Sequence, residues 1–235
     1  MRKKTAIFGE SRKVVYSEER WNLLEEKRDR AIEIMEKFEE RAIPSGVYGS
    51  VARGDVNVSS DIDIFVNLRL PSYLIELLVE DFGILERKIV QATPNYAIKG
   101  DIALTDNTKI SFPLVGFKDR EIEFYRFGGF LNYKQLEKNE RVAGVDKRLM
   151  LIVPKEYGHL EMPITDIDEI ELSKIVGVSL DIIRERKRVL ERRRETGRTG
   201  VFLNQLVPDH ESFESYLEQI ASKNPAVRKV LRERG

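Results

Sequence analysis

The chain contains no cysteine, which excludes disulfides and thiolate metal sites. It has only two histidines, so any metal would be held by oxygen, a chemistry that suits magnesium or manganese better than zinc. No apolar run reaches membrane-spanning length and Met1-Arg2-Lys3-Lys4 lacks a signal-peptide pattern, so a cytoplasmic protein with no membrane partner is expected. An excess of charge is missing too: 40 basic residues stand against 40 acidic ones, so attraction to nucleic acid must come from a local patch. Internal repeats and low-complexity linkers are absent. What is present is length: 235 residues can bury one sizeable core and carry a small appendage.

From Ser17 to Arg41 the apolar residues Trp21, Leu24, Ala31, Ile34, Met35 and Phe38 recur at helical spacing among charges, predicting a long amphipathic helix that ends before Pro44-Ser45-Gly46. Val47 and Tyr48 predict a short strand into Gly49-Ser50. Ile62, Ile64 and Val66, alternating with Asp61, Asp63 and Phe65, predict a second strand. Residues 72–82 read as a helix stopped by Gly83. Residues 88–92, 101–105, 109–115, 121–127 and 148–153 read as strands, with Thr105-Asp106-Asn107-Thr108 a hairpin turn and Tyr157-Gly158-His159 another turn. From about Asp166 the pattern becomes charged and helical, over residues 166–176, 180–194, 212–222 and 225–234.

The most informative stretch runs from Val47 to Val66. Gly49 lets the backbone approach a phosphate, and Ser50 offers a hydroxyl and a backbone donor at the start of a short helix. Asp61 and Asp63 lie two apart on a strand, so both side chains leave one face with Cα atoms roughly 6.5 Å apart. Acids this close repel unless a cation sits between them, so they suit one divalent ion or a bridge between two. Arg53 lies within reach of the same turn, and its guanidinium fork suits phosphate; Ser59 and Ser60 are placed to orient the acids.

In order and spacing this stretch resembles the DNA polymerase β-like nucleotidyltransferase superfamily, whose signature is Gly-Ser, a spacer like residues 51–60 here, then acid-hydrophobic-acid at a strand end. The resemblance implies an α+β nucleotidyltransferase fold, a mixed sheet flanked by helices, over residues 1–165. It implies metal-dependent transfer of a nucleoside monophosphate from a nucleoside triphosphate, ATP being the reference case, with release of pyrophosphate and with magnesium or manganese as cofactor. It assigns Gly49 and Ser50 to the triphosphate and Asp61 and Asp63 to metal and catalysis; Arg53 and Ser60 join the candidate nucleotide-binding residues from their own chemistry and position. Active members add a third carboxylate from a later strand. Asp101 is the first choice, as catalytic and metal-holding residue, and Glu123 the second; Asp106 and Glu121 stand behind them, and Ser111 occupies a place where some relatives carry the acid. Lys99, Lys109, Lys147 and Arg148 are candidate phosphate contacts. His159 is a candidate proton shuttle or a turn residue, and His210 reads likewise.

Residues 166–235 are expected to form a small all-helical domain. Leu172 to Leu190 resembles a helix-turn-helix, with Gly177-Val178-Ser179 at the turn and a basic second helix. Arg184, Arg186, Lys187, Arg188 and Arg198 are its candidate contacts to DNA or RNA. The other reading of this region is a charged helical bundle packed on the catalytic domain. For the whole chain, the alternative to an enzyme is a nucleic-acid-binding regulator whose fold senses nucleotides or is inactive.

Overall fold

The computed structural model describes residues 10–197 and 200–235. β1 (Arg12–Val15) leads into α1 (Glu18–Glu39), β2 (Ser45–Tyr48), the one-turn α2 (Ser50–Arg53), β3 (Ile62–Val66) and α3 (Ser72–Val79). β4 (Ile84–Gln91), β5 (Ile98–Leu104) and β6 (Thr108–Pro113) follow, then α4 (Asp119–Phe127), β7 (Phe130–Asn132), α5 (Tyr133–Glu137), β8 (Gly144–Val145), β9 (Met150–Lys155) and β10 (Gly158–Pro163). The remainder carries α6 (Glu169–Val176), α7 (Leu180–Thr196), β11 (Leu203–Leu206), α8 (Phe213–Lys223) and α9 (Pro225–Arg234). The class is α+β, as expected.

The described chain divides into two compact units, one of residues 10–32, 47–60 and 122–197, the other of residues 33–46, 61–121 and 200–235. In the second, strands run in the order β11-β4-β5-β6-β3. The β3–β6 pair is parallel and the others are antiparallel, so the sheet is mixed. Alternation gives the sheet two unlike faces. Ile62, Ile64, Ile110, Phe112, Ile98, Ile102 and Ile89 form a buried face. Phe213 of α8 meets Phe112 edge to face at 5.0 Å. Glu214 of α8 accepts hydrogen bonds from Ser72 N and Oγ at the start of α3, both at 2.7 Å, and Arg87 of β4 donates to Glu76 of α3 at 3.0 Å. Each fully buried Phe or Ile here contributes roughly 1.5–3 kcal/mol. The opposite face carries Asp63, Lys109, Ser111, Asp101 and Lys99.

In the first unit, β1-β10-β9-β8 form an antiparallel sheet. Leu149, Leu151 and Ile164 pack with Leu172 of α6 and Ile182, Ile183 and Leu190 of α7 in one apolar cluster. Ser179 caps α7 and Gly177, at φ 71, ends α6, so the expected two helices and their tight turn are present. Residues 166–235, expected as one all-helical domain, are shared out: α6 and α7 lie in the first unit, and β11, α8 and α9 in the second.

Two local expectations are corrected. Residues 121–127, read as a strand, lie in helix α4. The Glu121 carboxylate reaches back to the N–H of Lys118 at 2.7 Å, half of a capping box, and buries against Arg234 at 2.9 Å. His159, read as a turn residue, lies in β10 and is 1% exposed. Its Nδ1 is 2.6 Å from the Tyr16 hydroxyl and its Nε2 is 3.2 Å from Glu161.

Candidate active site

β2 delivers the chain to Gly49, whose φ of 80° is left-handed backbone that a side chain resists. A Cβ there would meet nothing within 4 Å, so the turn faces open space. The Gly49 N–H is tied to the Gly129 carbonyl at 3.0 Å. The Ser50 side chain is half-buried and makes no hydrogen bond among the described residues. The first N–H groups of α2 have no partner within the helix, as at any helix start.

The far end of that turn is fixed by residues that sequence reasoning missed. Arg28 of α1 is 3% exposed and donates to the Val51 and Ala52 carbonyls at 3.2 and 3.3 Å, to the Glu140 carbonyl at 2.7 Å and to Asn139 at 2.8 Å. Burial, and secondarily the charge of Arg141, lowers its pKa to about 10. Tyr16 donates to the Gly54 carbonyl at 2.8 Å, and burial pushes its phenol up to about 12. Behind it, His159 is held below its ordinary pKa, chiefly by burial. Burial opposes the charge on Glu161, but Arg148, Arg12 and His159 outweigh it and hold that carboxyl at about 2. His159 is thus a buried support between Tyr16 and Glu161.

Arg53 is placed otherwise than expected. Its guanidinium grips Asp55 with two bonds of 3.0 Å and donates to the Gly128 carbonyl, and its side chain is 7% exposed. Those bonds make it an internal strut. Ser60 accepts the Asn57 N–H at 3.0 Å, and Ser59 bonds Asn57 Oδ1 through both N–H and hydroxyl. They shape the turn before β3 and do not orient the acids.

Asp61 is exposed and unpaired among the described residues, one position before β3. Asp63 lies on β3 in register with Lys109 of β6, whose Nζ is 2.6 Å from Oδ1. Lys109 is the one donor group that meets this buried oxygen among the described residues. Burial disfavours the Lys109 ammonium, but Asp63 first, then Asp101 and Asp61, outweigh it and raise its pKa.

Asp101 is on the same face one strand further on, opposite Ser111. It accepts from Ser111 Oγ at 2.7 Å and pairs with Lys99 at 2.9 Å. Among the described residues no group of three or more acids or histidines is gathered closely enough to hold a metal ion. Two carboxylates remain a fitting holder for magnesium, which takes one or two together with waters and substrate phosphates. The exposed Asp61 carboxylate and the Asp63 oxygen turned away from Lys109 fit that use. Beside Asp101 and Lys109 a cleft of about 280 Å³ opens over the sheet, floored by Val90 and Ala103 and edged by Lys88, Glu86 and Asn204.

Glu123, the second choice for a third acid, has both carboxylate oxygens engaged at the start of α7, by Ser179 N at 2.9 Å and Ser179 Oγ at 2.6 Å. On α7, Arg184 and Lys187 pair with Glu169 at 2.9 and 3.4 Å, and Arg186 lies over the Phe124 ring at 4.8 Å. Arg188 is exposed. Arg198 lies outside the described residues. No helix among the described residues is long and apolar enough to cross a membrane.

The family model described as a nucleotidyltransferase domain matches residues 28–196, which takes in both the Gly49-Ser50 turn and the Asp61-Asp63 pair. Neither a curated protein nor a solved structure matches the chain.

Proposed function

The chain belongs to the nucleotidyltransferase domain family and is a nucleotidyltransferase, and from that premise we propose that it transfers a nucleoside monophosphate from a nucleoside triphosphate to a hydroxyl or similar acceptor. In that reaction the acceptor oxygen bonds to the α-phosphorus, the bond to the bridging oxygen breaks, pyrophosphate departs and the acceptor proton passes to solvent. The observation that carries the reading is the pair Asp61 and Asp63 on the open face of the sheet, Asp61 exposed and without a hydrogen bond among the described residues and Asp63 held by Lys109 at one oxygen only.

Asp61 and Asp63 are the proposed holders of a magnesium or manganese ion, which when bound supplies a Lewis acid that neutralises phosphate charge. Ser50, its hydroxyl uncommitted, and the open backbone at Gly49 are the proposed triphosphate contacts. Arg28, Tyr16 and the Arg53–Asp55 pair act indirectly, by holding α2 and the residues after it rigid. Asp101, its Oδ1 hydrogen-bonded to Ser111 and ion-paired with Lys99 beside the cleft, is proposed as an acceptor-side residue. Exposed Arg188 of α7 is the proposed contact to DNA or RNA.

A second reading, nucleotide sensing without turnover, draws on the lack of a gathered third carboxylate among the described residues. Incubation with each labelled nucleoside triphosphate, magnesium or manganese, and RNA, DNA or cell extract separates the two. Transfer lost in Asp61→Asn/Asp63→Asn supports the enzyme; nucleotide binding with no pyrophosphate release supports the sensor.

A further inference from the structure

On β6 the two positions that share the face of the acid pair and stand beside β3 are Lys109, in register with Asp63, and Ser111, in register with Phe65. Neither is an acid. Neighbouring strands lie about 4.8 Å apart, so Asp101 on β5 is roughly 10 Å from β3 across the sheet. One of its oxygens, Oδ1, is also engaged by Ser111 at 2.7 Å and Lys99 at 2.9 Å. The ordinary way to hold two divalent ions, a further carboxylate on the strand beside the pair, is therefore replaced by an ammonium seated 2.6 Å from an Asp63 oxygen.

The charge count on this face agrees. Asp61, Asp63, Asp101 and Glu86 bring four negative charges and Lys109, Lys99 and Lys88 three positive ones, leaving a single formal negative charge. On the protein alone one divalent ion already turns that cluster to a single positive charge, and two would strongly overcompensate it.

We propose that Lys109 is a built-in cation standing in for a second divalent ion, so that the site takes up one metal ion per chain, held by Asp61 and Asp63, and holds it weakly until nucleotide arrives. This rests on the assignment of Asp61 and Asp63 as the metal-holding pair. Lys109 lines the cleft and caps one oxygen of Asp63, leaving Asp61 and the rest of the Asp63 carboxylate to the ion. Removing its charge frees the carboxylate to bind metal more tightly. Removing Lys99, which serves Asp101, does not.

The test is a titration of the full chain with manganese alone, free ion being counted by electron paramagnetic resonance, with folding of each variant checked by circular dichroism. The wild type is expected to bind no more than one ion per chain. Lys109→Met and the polar Lys109→Gln should bind manganese at least about tenfold more tightly, the effect of one lost neighbouring charge. Lys109→Arg and Lys99→Met should match the wild type. Two ions on the wild type, or unchanged affinity in Lys109→Met and Lys109→Gln, would overturn the proposal and leave the acid-pair assignment standing. Wild-type manganese binding retained in Asp61→Asn/Asp63→Asn would overturn both. The wild-type count decides even where a Lys109 variant folds poorly.

Discussion

Replacing Arg28 with methionine probes how far the Gly49-Ser50 turn depends on its buried support. Methionine keeps much of the apolar stem and removes the guanidinium, and with it the charged hydrogen bonds to the Val51, Ala52 and Glu140 carbonyls and to Asn139. A hydrogen bond to a charged group contributes about 1.5–3 kcal/mol, so the four acceptors together account for on the order of 6 kcal/mol. Part of this is offset. The fall of the Arg28 pKa from 12.5 to about 10 measures the penalty of burying its charge, worth about 3 kcal/mol, which the variant no longer bears. The net expectation is a loss of about 3 kcal/mol. In urea denaturation this appears as a midpoint lower by about 1–1.5 M with an unchanged slope. Arg28→Lys should fall between, because one ammonium reaches fewer of these carbonyls than a fork of five donors. At a denaturant-free temperature where the variant is folded, KM for the triphosphate should still rise. A midpoint within about 0.3 M of wild type would refute the view that Arg28 holds the turn.

Other outcomes follow from the same geometry. Glu123→Gln loses the charged cap on Ser179 and should cost about 1 kcal/mol in thermal or urea unfolding, while pyrophosphate release per folded molecule stays at the wild-type rate; a large loss of turnover would restore Glu123 to the catalytic candidates. Gly49→Ala meets no atom within 4 Å, so its cost is conformational, about 1–2 kcal/mol at φ 80°. A raised KM for triphosphate should accompany it, and an unchanged KM would count against the turn as a phosphate site. Unfolding measured against pH should show stability falling on acidification in two stages. Neutral His159, its folded pKa lowered, contributes fully above about pH 6.5 and loses its contribution as pH falls below that; Glu161 contributes above about pH 4.5 and loses its contribution down to about pH 2. The Glu161 stage is worth about 3 kcal/mol and should vanish in Glu161→Gln, which will itself be less stable at neutral pH.

Local signals in the chain were strong where one period ruled. The alternation of Ile62, Ile64 and Val66 with Asp61, Asp63 and Phe65 defines β3 and both of its faces, and the three- and four-residue spacing from Trp21 to Phe38 defines α1. Asp106 and Asn107 make the β5–β6 turn, with Asn107 at φ 62 and Asp106 accepting the Thr108 N–H. Residues 121–127 were read as a strand, and a contact that the local sequence does not state supports the helix: Arg234, over a hundred positions away, buries Glu121 on the first turn of α4. The same holds at the candidate site. That Arg53 is committed to Asp55 and Gly128, that Arg28 clamps Val51 and Ala52, and that Lys109 lies against Asp63 are consequences of strand order and packing, which a string of residues does not state. Pairing of α6 with α7 was legible because Gly177 and Ser179 are local turn chemistry. The sharing of residues 166–235 between two units was not, because β11 finds its partner in β4 through long-range pairing.

The central claim is that Asp61 and Asp63 serve nucleotidyl transfer. Its most direct test is pyrophosphate release from nucleoside triphosphates labelled in the α-phosphoryl group, with magnesium or manganese and a range of acceptors, in wild type beside Asp61→Asn and Asp63→Asn. Wild type should release pyrophosphate and label an acceptor, and each variant should lose at least about a thousandfold in rate while keeping its fold. Equal release by wild type and both variants, or none from wild type with any triphosphate, would contradict it.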